Sequence, residues 1–196
     1  MAYIAAIDEG TTGTRAVLYD LDKNKIIASK SSEIKQFYPK PSYVEENANE
    51  IYAETLASLV EVLEGADEIG KVVGIGITNQ RETIIAWDKK TGKPLYNAIV
   101  WQCRRTADFM AELDVKYGDI IRSKTGLVMD AYFSASKIKW LIDNVPIIRQ
   151  KADEGEVCFG TVDSFLVYKL TGGKAFVTDV TNASRTMLFN INTLDY

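Results

Sequence analysis

The 196-residue sequence contains no histidine. A Ser-His-Asp or Cys-His nucleophile pair, a histidine-ligated zinc ion and an imidazole general base are therefore excluded within this chain. Acid–base chemistry on these residues would depend on carboxylates, lysines, tyrosines or the substrate itself.

Cysteines and long apolar runs are also scarce. The two cysteines, Cys103 and Cys158, have no CxxC spacing, which is typical of a reducing compartment and of buried, inert thiols. No apolar run approaches the roughly 18 residues of a membrane-spanning helix, and the N-terminus lacks the basic segment of a signal peptide. We therefore expect a cytoplasmic protein without a membrane span.

The residues that are present are those of an ordinary globular protein, with 46% hydrophobic and 26% charged residues. The formal net charge is −4 and no run of basic residues occurs. This charge balance argues against nucleic acid as a partner.

Alternating extended and helical patterns predict an α/β fold. Extended segments at 3–7, 15–19 and 26–28, separated by turn residues, predict an opening antiparallel meander. Asn47 and Glu50 resemble a capping box that starts a helix over 48–64. Further strands are predicted at 71–77, 83–87, 98–101, 157–159 and 187–191, and further helices at 106–117, 119–125, 134–143, 147–153 and 162–170. No repeat or flexible linker is evident, which favours one domain.

The segment Asp8-Glu9-Gly10-Thr11-Thr12-Gly13-Thr14-Arg15 is the first candidate site. Its glycines let backbone amides approach an anion, while threonine hydroxyls and an arginine fork donate to phosphate oxygens. Asp8 follows a predicted strand, where a carboxylate can hold Mg²⁺. A hairpin turn with solvated threonines explains the same pattern about equally well.

The segment Thr78-Asn79-Gln80-Arg81-Glu82-Thr83 is the second candidate. Arg81 only donates hydrogen bonds and Glu82 only accepts them, so together they suit vicinal hydroxyls. A solvated turn is the simpler interpretation of this spacing. Segment 101–106 is expected to be structural, and Tyr132 precedes Ser134, which is predicted to cap a helix.

Five blocks in this order, spread over essentially the whole chain, resemble the FGGY family of carbohydrate kinases, and especially its members that phosphorylate glycerol. The blocks are residues 8–12, 77–83, 97–106, 130–134 and 181–190. The resemblance implies an actin-like, ribonuclease-H-like ATPase domain with a mixed sheet, an opening antiparallel meander and flanking helices. It also implies transfer of the ATP γ-phosphoryl group to glycerol, giving sn-glycerol 3-phosphate, with Mg²⁺ as the metal.

The resemblance also assigns roles to individual residues. Arg81, Glu82 and Tyr132 would bind glycerol, Asp8 would serve Mg²⁺, and the ATP phosphates would be lined by Thr11, Thr12, Gly13 and Arg15. Gly13 departs from the serine usual in the family, which removes one side-chain donor to phosphate. Segment 42–50 also departs from the family pattern but keeps the helix cap.

The resemblance further implies that residues 1–196 form the family's N-terminal kinase domain without its last elements. No catalytic residue is identified in the chain, because the general-base aspartate is expected beyond residue 196, with the C-terminal domain. We therefore expect no turnover by these residues alone, and a homo-oligomer is compatible with the sequence. Two alternatives stay open: an FGGY kinase for a pentulose or pentitol, and a non-catalytic fragment that binds glycerol or phosphate.

Overall fold

A computed structural model describes residues 2–64 and 70–196, which fall into two compact units. Unit 1 comprises Met1–Gln36 and Asn47–Gln80, and unit 2 comprises Phe37–Glu46 and Arg81–Tyr196. The chain thus passes from one unit to the other at 36–37, 46–47 and 80–81. No composition shift marks these crossings, which is why the sequence favoured a single domain.

Nine strands and six helices are formed by the described residues. The strands are β1 (Ala2–Glu9), β2 (Gly13–Asp20), β3 (Lys25–Glu33), β4 (Gln36–Phe37), β5 (Glu45–Glu46), β6 (Lys71–Asn79), β7 (Ile84–Asp88), β8 (Ala98–Ile99) and β9 (Val157–Thr161). The helices are α1 (Ala48–Glu64), α2 (Ala107–Thr125), α3 (Ser134–Asn144), α4 (Pro146–Asp153), α5 (Val162–Leu170) and α6 (Val180–Ala183). No helix in the described ranges is both long enough and apolar enough to cross a membrane.

Unit 1 is a four-stranded mixed sheet in the order β3-β2-β1-β6, with α1 packed against it. Strands β1, β2 and β3 are antiparallel, and β6 runs parallel to β1. Helix α1 buries Ile51, Leu59 and Val62, a spacing that places them on one helical face. The predicted meander and the predicted 48–64 helix are both confirmed.

The second sheet has the order β4-β5-β8-β7-β9 and belongs to unit 2 except for Gln36, the first residue of β4. Strand β7 is antiparallel to β8 and β9 and is buried along its whole length. The apolar cluster around it includes Ile84, Ile99, Leu141 and Ile148. Helices α2, α3 and α4 follow β8, and helices α5 and α6 follow β9, which completes the α/β architecture that the sequence predicts.

Two predictions about elements are wrong: a helix break at Gly118 and a strand at 187–191. Helix α2 continues through Gly118, because an interior glycine costs only about 1 kcal/mol relative to alanine. It ends instead at Gly126, which has the left-handed φ of 72°. The predicted strand at 187–191 is absent: Met187 has φ 65°, and the segment forms turns with an isolated bridge between Asn190 and Asp195.

Two predicted caps also differ from the structure. Asn47 Oδ1 accepts from the Asn49 amide at 2.9 Å, whereas Glu50 Oε1 accepts from the amide of Lys35, so the second half of the capping box is used elsewhere. Ser134 is the first residue of α3 rather than its cap, and the N-cap position is Phe133. The Ser134 hydroxyl instead donates to the carbonyl of Glu82 at 3.1 Å.

Candidate functional site

The predicted phosphate loop joins β1 to β2 in unit 1. The Gly10 amide donates to the Gly13 carbonyl at 2.9 Å, which closes the loop, and the Thr12 carbonyl accepts from the Ile34 amide at 3.0 Å. Thr11 is half-buried and Thr12 is exposed. The loop is therefore anchored at both ends by backbone hydrogen bonds, with the Thr12 side chain accessible to a ligand.

Asp8 and Arg15 lie opposite each other on β1 and β2, and both are exposed. The Arg15 Nε donates to Ser29 Oγ at 3.0 Å, which holds the guanidinium along the sheet. The neighbouring Glu9 points to the other face, where its Oε2 accepts from Thr55 Oγ1 at 3.0 Å. Of the two adjacent acids, Asp8 is thus the one available to a ligand, and Glu9 fastens β1 to α1.

The structure explains why position 13 is a glycine, which the sequence does not reveal. A Cβ added at this position would lie 2.6 Å from the Ser32 carbonyl oxygen on β3. Real Cβ atoms do not approach a backbone oxygen so closely, so the β2–β3 contact here favours glycine. The loss of the serine hydroxyl that is usual in the family therefore accompanies a close approach of two strands.

A magnesium ion would find few protein ligands near this loop. No group of three or more acidic, cysteine or histidine side chains in the described ranges could hold a metal ion. Mg²⁺ often takes only one or two carboxylates, completing its six ligands with water and substrate phosphate oxygens. The single carboxylate of Asp8, beside a loop rich in donors, fits that mode of binding.

The predicted substrate residue Glu82 lies in unit 2, two residues before β7, and is 3% exposed. Its Oε1 accepts from Arg185 Nε at 2.6 Å, forming an ion pair between residues 103 positions apart. The Glu82 backbone carbonyl is held by the Ser134 hydroxyl. Glu82 is thus a fixed, charged acceptor just before a buried strand.

Tyr132 forms an aromatic wall close to this ion pair. Its ring centroid lies 5.3 Å from that of Trp101 and 5.2 Å from that of Phe133. The Arg185 guanidinium carbon is 5.8 Å from the Tyr132 centroid and 4.9 Å from the Phe133 centroid. Charge and aromatic surface therefore meet around Glu82, a combination that suits a small polyol with hydroxyl groups on a carbon chain.

Asp130 fixes the loop that presents Tyr132. Its Oδ1 accepts from the Tyr132 amide at 2.7 Å and from the Arg104 guanidinium at 2.5 Å. Burial alone would raise the pKa of Asp130, but the Arg104 charge and the Tyr132 amide stabilise the carboxylate and bring its pKa below the usual value. Asp130 therefore stays ionised at neutral pH and keeps accepting the hydrogen bond from the Tyr132 amide.

Arg81 is exposed and makes no hydrogen bond or ion pair with another residue in the part of the chain that the structure describes. Among residues 2–64 and 70–196, no side chain therefore competes with a ligand for its guanidinium. The structure thus brings Glu82 and Tyr132 into one site of unit 2, leaves Arg81 on the surface of that unit, and places Asp8, Thr11, Thr12, Gly13 and Arg15 in unit 1.

Two residues that contact Glu82 or Tyr132, Arg185 and Trp101, are not among the site residues predicted from the sequence. Trp101 stands in segment 101–106, which was predicted to be structural. Arg105 in that segment is structural, since its buried guanidinium pairs with Glu45 at 2.6 Å and lies 3.9 Å from the ring centroid of Tyr43. Arg185 lies in the 181–190 block of the family resemblance, and that block was the only signal that could have identified it.

The comparisons with known proteins agree on one family. The model of the FGGY family of carbohydrate kinases, N-terminal domain, matches residues 3–196. Glycerol kinase from Photorhabdus laumondii subsp. laumondii is 56% identical over 197 residues, covering 99% of this chain and 39% of its own length. The chain thus spans about two fifths of the length of this curated relative.

Two solved structures share the fold. The crystal structure of Plasmodium falciparum glycerol kinase with ADP has a TM-score of 0.93 at 42% identity, covering all of this chain and 39% of its own. A ligand-bound xylulose kinase from Lactobacillus acidophilus has a TM-score of 0.87 at 25% identity, covering all of this chain and 38% of its own. These similarities confirm the actin-like α/β fold, and the chain belongs to the FGGY family of carbohydrate kinases, matching its N-terminal domain.

Proposed function

We propose that this chain carries the glycerol-binding residues and the first phosphate loop of an ATP-dependent glycerol kinase. The observation that carries the proposal is the buried Glu82 carboxylate, fixed by Arg185 beside the Tyr132 ring. The name of the 56%-identical Photorhabdus relative supports glycerol over a pentulose as substrate. We expect the 196 residues alone to bind substrate without turnover, because they match only an N-terminal domain model.

Each proposed substrate residue has a distinct task. The Glu82 carboxylate would accept hydrogen bonds from glycerol hydroxyls, and the exposed Arg81 would donate to their oxygens. The Tyr132 ring would cover one side of the three-carbon chain. The fixed Glu82 acceptor, the Arg81 donor and the Tyr132 wall would together orient a hydroxyl, which is the main contribution a protein makes to phosphoryl transfer.

The phosphate loop would provide the second set of contacts. Amides and hydroxyls at Thr11, Thr12 and Gly13, together with the Arg15 guanidinium, would neutralise phosphate oxygens. Asp8 would hold Mg²⁺ through one carboxylate and intervening waters. When bound, the ion would offset the negative charge on the transferred phosphoryl group.

Calorimetric titration of the purified chain with glycerol and with xylulose tests this proposal. We expect glycerol to bind more tightly than xylulose. We expect Glu82→Gln to weaken glycerol binding about 10- to 150-fold, since the variant loses a charged acceptor worth about 1.5–3 kcal/mol. Glu112→Gln, an exposed change on α2, is the matched control and should bind like the wild type. Preference for xylulose would favour the pentulose alternative, and no response to either ligand would contradict the proposal.

Turnover is tested separately by coupling ADP release to a spectrophotometric assay. We expect the chain alone to give no glycerol-dependent release above a buffer control. A steady release that depends on both glycerol and ATP would show that these residues contain a complete active site, against our expectation.

A further inference from the structure

Lys137, in the second turn of α3, has a fully buried side chain with an exposed fraction of 0%. Its Nζ donates to three consecutive backbone carbonyls, at 2.6 Å to Ala131, 2.6 Å to Tyr132 and 3.0 Å to Phe133. One ammonium group therefore gathers the carbonyls of the loop that presents Tyr132.

This arrangement is costly for stability. A buried ammonium group is ordinarily paired with a carboxylate, yet Lys137 forms no ion pair with any residue of the described ranges. The charged or titratable groups that act on it through space are Glu82, Asp130, Cys103 and Arg104, and burial lowers its pKa to about 7. An apolar side chain would avoid this desolvation but would take the donor away from the three carbonyls. What the ammonium group supplies is therefore local to the loop that it holds.

The hydrogen bonds clamp Tyr132 from both sides. The Tyr132 amide N–H is held by Asp130 Oδ1 at 2.7 Å, and its carbonyl is held by the Lys137 ammonium at 2.6 Å. With both polar groups of the residue fixed, the direction of its Cα–Cβ bond is fixed too. That direction sets the ring against Trp101, at a centroid distance of 5.3 Å.

We infer that Lys137 is a positioning residue that fixes the aromatic wall of the substrate site by gathering the carbonyls of residues 131–133. It touches no substrate atom and acts through Tyr132. Its effect on glycerol rests on the proposed function, whereas its effect on the Tyr132 loop does not.

Amide hydrogen exchange of the ¹⁵N-labelled chain tests the loop directly. Lys137→Met replaces the side chain by an unbranched apolar one that is one atom shorter, and it removes the donors. We expect protection of the Tyr132 amide to fall at least tenfold, while the Ile85 and Ala86 amides of β7 stay within twofold of wild type. Lys139→Met, at a half-exposed neighbour on the same helix, is the matched control and should leave Tyr132 unchanged.

Glycerol affinity, measured on the same variants, gives a second readout. We expect Lys137→Met to weaken binding about tenfold, and Lys137→Gln, whose amide retains two N–H donors, to recover part of both the affinity and the Tyr132 protection. If Lys137→Met does not fold, the Lys137→Gln variant with loss confined to Tyr132 still supports the inference.

Two results would overturn the inference. The first is wild-type protection of the Tyr132 amide in a folded Lys137→Met chain. The second is an equal loss of protection at Tyr132 and throughout β7, which would indicate that the lysine only stabilises the fold. If the wild-type chain does not bind glycerol but Tyr132 protection still falls in the variant, the proposed substrate is wrong and the positioning role stands.

Discussion

Replacing Arg185 by methionine would leave the Glu82 carboxylate buried without the charge that faces it. The Glu82 side chain is 4% exposed and the Arg185 side chain is 27% exposed. Removing one partner of a fully buried pair costs about 3–5 kcal/mol. Because Arg185 is partly exposed, we expect Arg185→Met to lower the free energy of unfolding by about 2–3 kcal/mol.

Urea denaturation followed by tryptophan fluorescence is the assay, because all three tryptophans lie in unit 2 and report on its unfolding. The matched control is Arg149→Met, which breaks an ion pair with Asp153 whose side chains are 58% and 67% exposed. Exposed pairs contribute little, so the control should change the free energy by less than about 0.5 kcal/mol.

A double variant separates charge from packing. Adding Glu82→Gln to Arg185→Met removes the stranded charge, so we expect part of the lost stability to return while glycerol binding stays weaker than in the wild type. The reasoning is refuted if Arg185→Met is no more destabilising than Arg149→Met, or if the double variant recovers nothing.

Three further predictions concern stability. Burial lowers the pKa of the Lys137 ammonium group to about 7 in the folded chain, from the ordinary lysine value of 10.5. The free energy of unfolding should therefore rise with pH between these two values. From pH 6 to pH 9 the wild type should gain about 2–3 kcal/mol relative to Lys137→Met in urea denaturation, and an unchanged difference would contradict this. Gly13→Ala should destabilise unit 1 by about 1–3 kcal/mol. Gly74→Ala, whose Cβ would enter open space, should leave the free energy of unfolding unchanged. Far-UV circular dichroism during urea denaturation measures the stability of both variants. The Lys151 ammonium and Thr91 hold the pKa of Asp88 below its usual value, so Asp88→Asn should lower the urea midpoint at pH 7. The difference in midpoint between wild type and variant should shrink as the pH falls below 4. A difference that does not change with pH would exclude the ionic contribution.

Local patterns predicted much of the fold, because many elements depend on periodicity and turn residues close in sequence. The opening meander and α1 follow from alternation and from apolar spacing that tertiary contacts did not override. The 187–191 strand failed because left-handed backbone at Met187 turns the chain, which apolar composition does not reveal. The break predicted at Gly118 failed because the rest of α2 outweighs one glycine.

The site was predictable only in part, because its contacts join residues distant in sequence. Glu82 and Tyr132 stand in polar or loop-borne motifs, and the family resemblance assigned them. The partner of Glu82, Arg185, is 103 positions away, and residue spacing in the sequence does not predict a contact between residues so far apart. Nothing in the helical pattern around Lys137 indicates that this residue is buried, because its burial depends on three carbonyls of the preceding loop.

The most direct test of the central claim is the activity of a chimera in which this chain replaces the matching segment, 39% of the length, of Photorhabdus laumondii glycerol kinase. We predict ADP release that depends on glycerol, is absent with xylulose, and falls at least tenfold in Glu82→Gln but not in Glu112→Gln. A folded chimera that binds ADP but phosphorylates only xylulose, or one whose glycerol activity is unchanged in Glu82→Gln, would contradict the account.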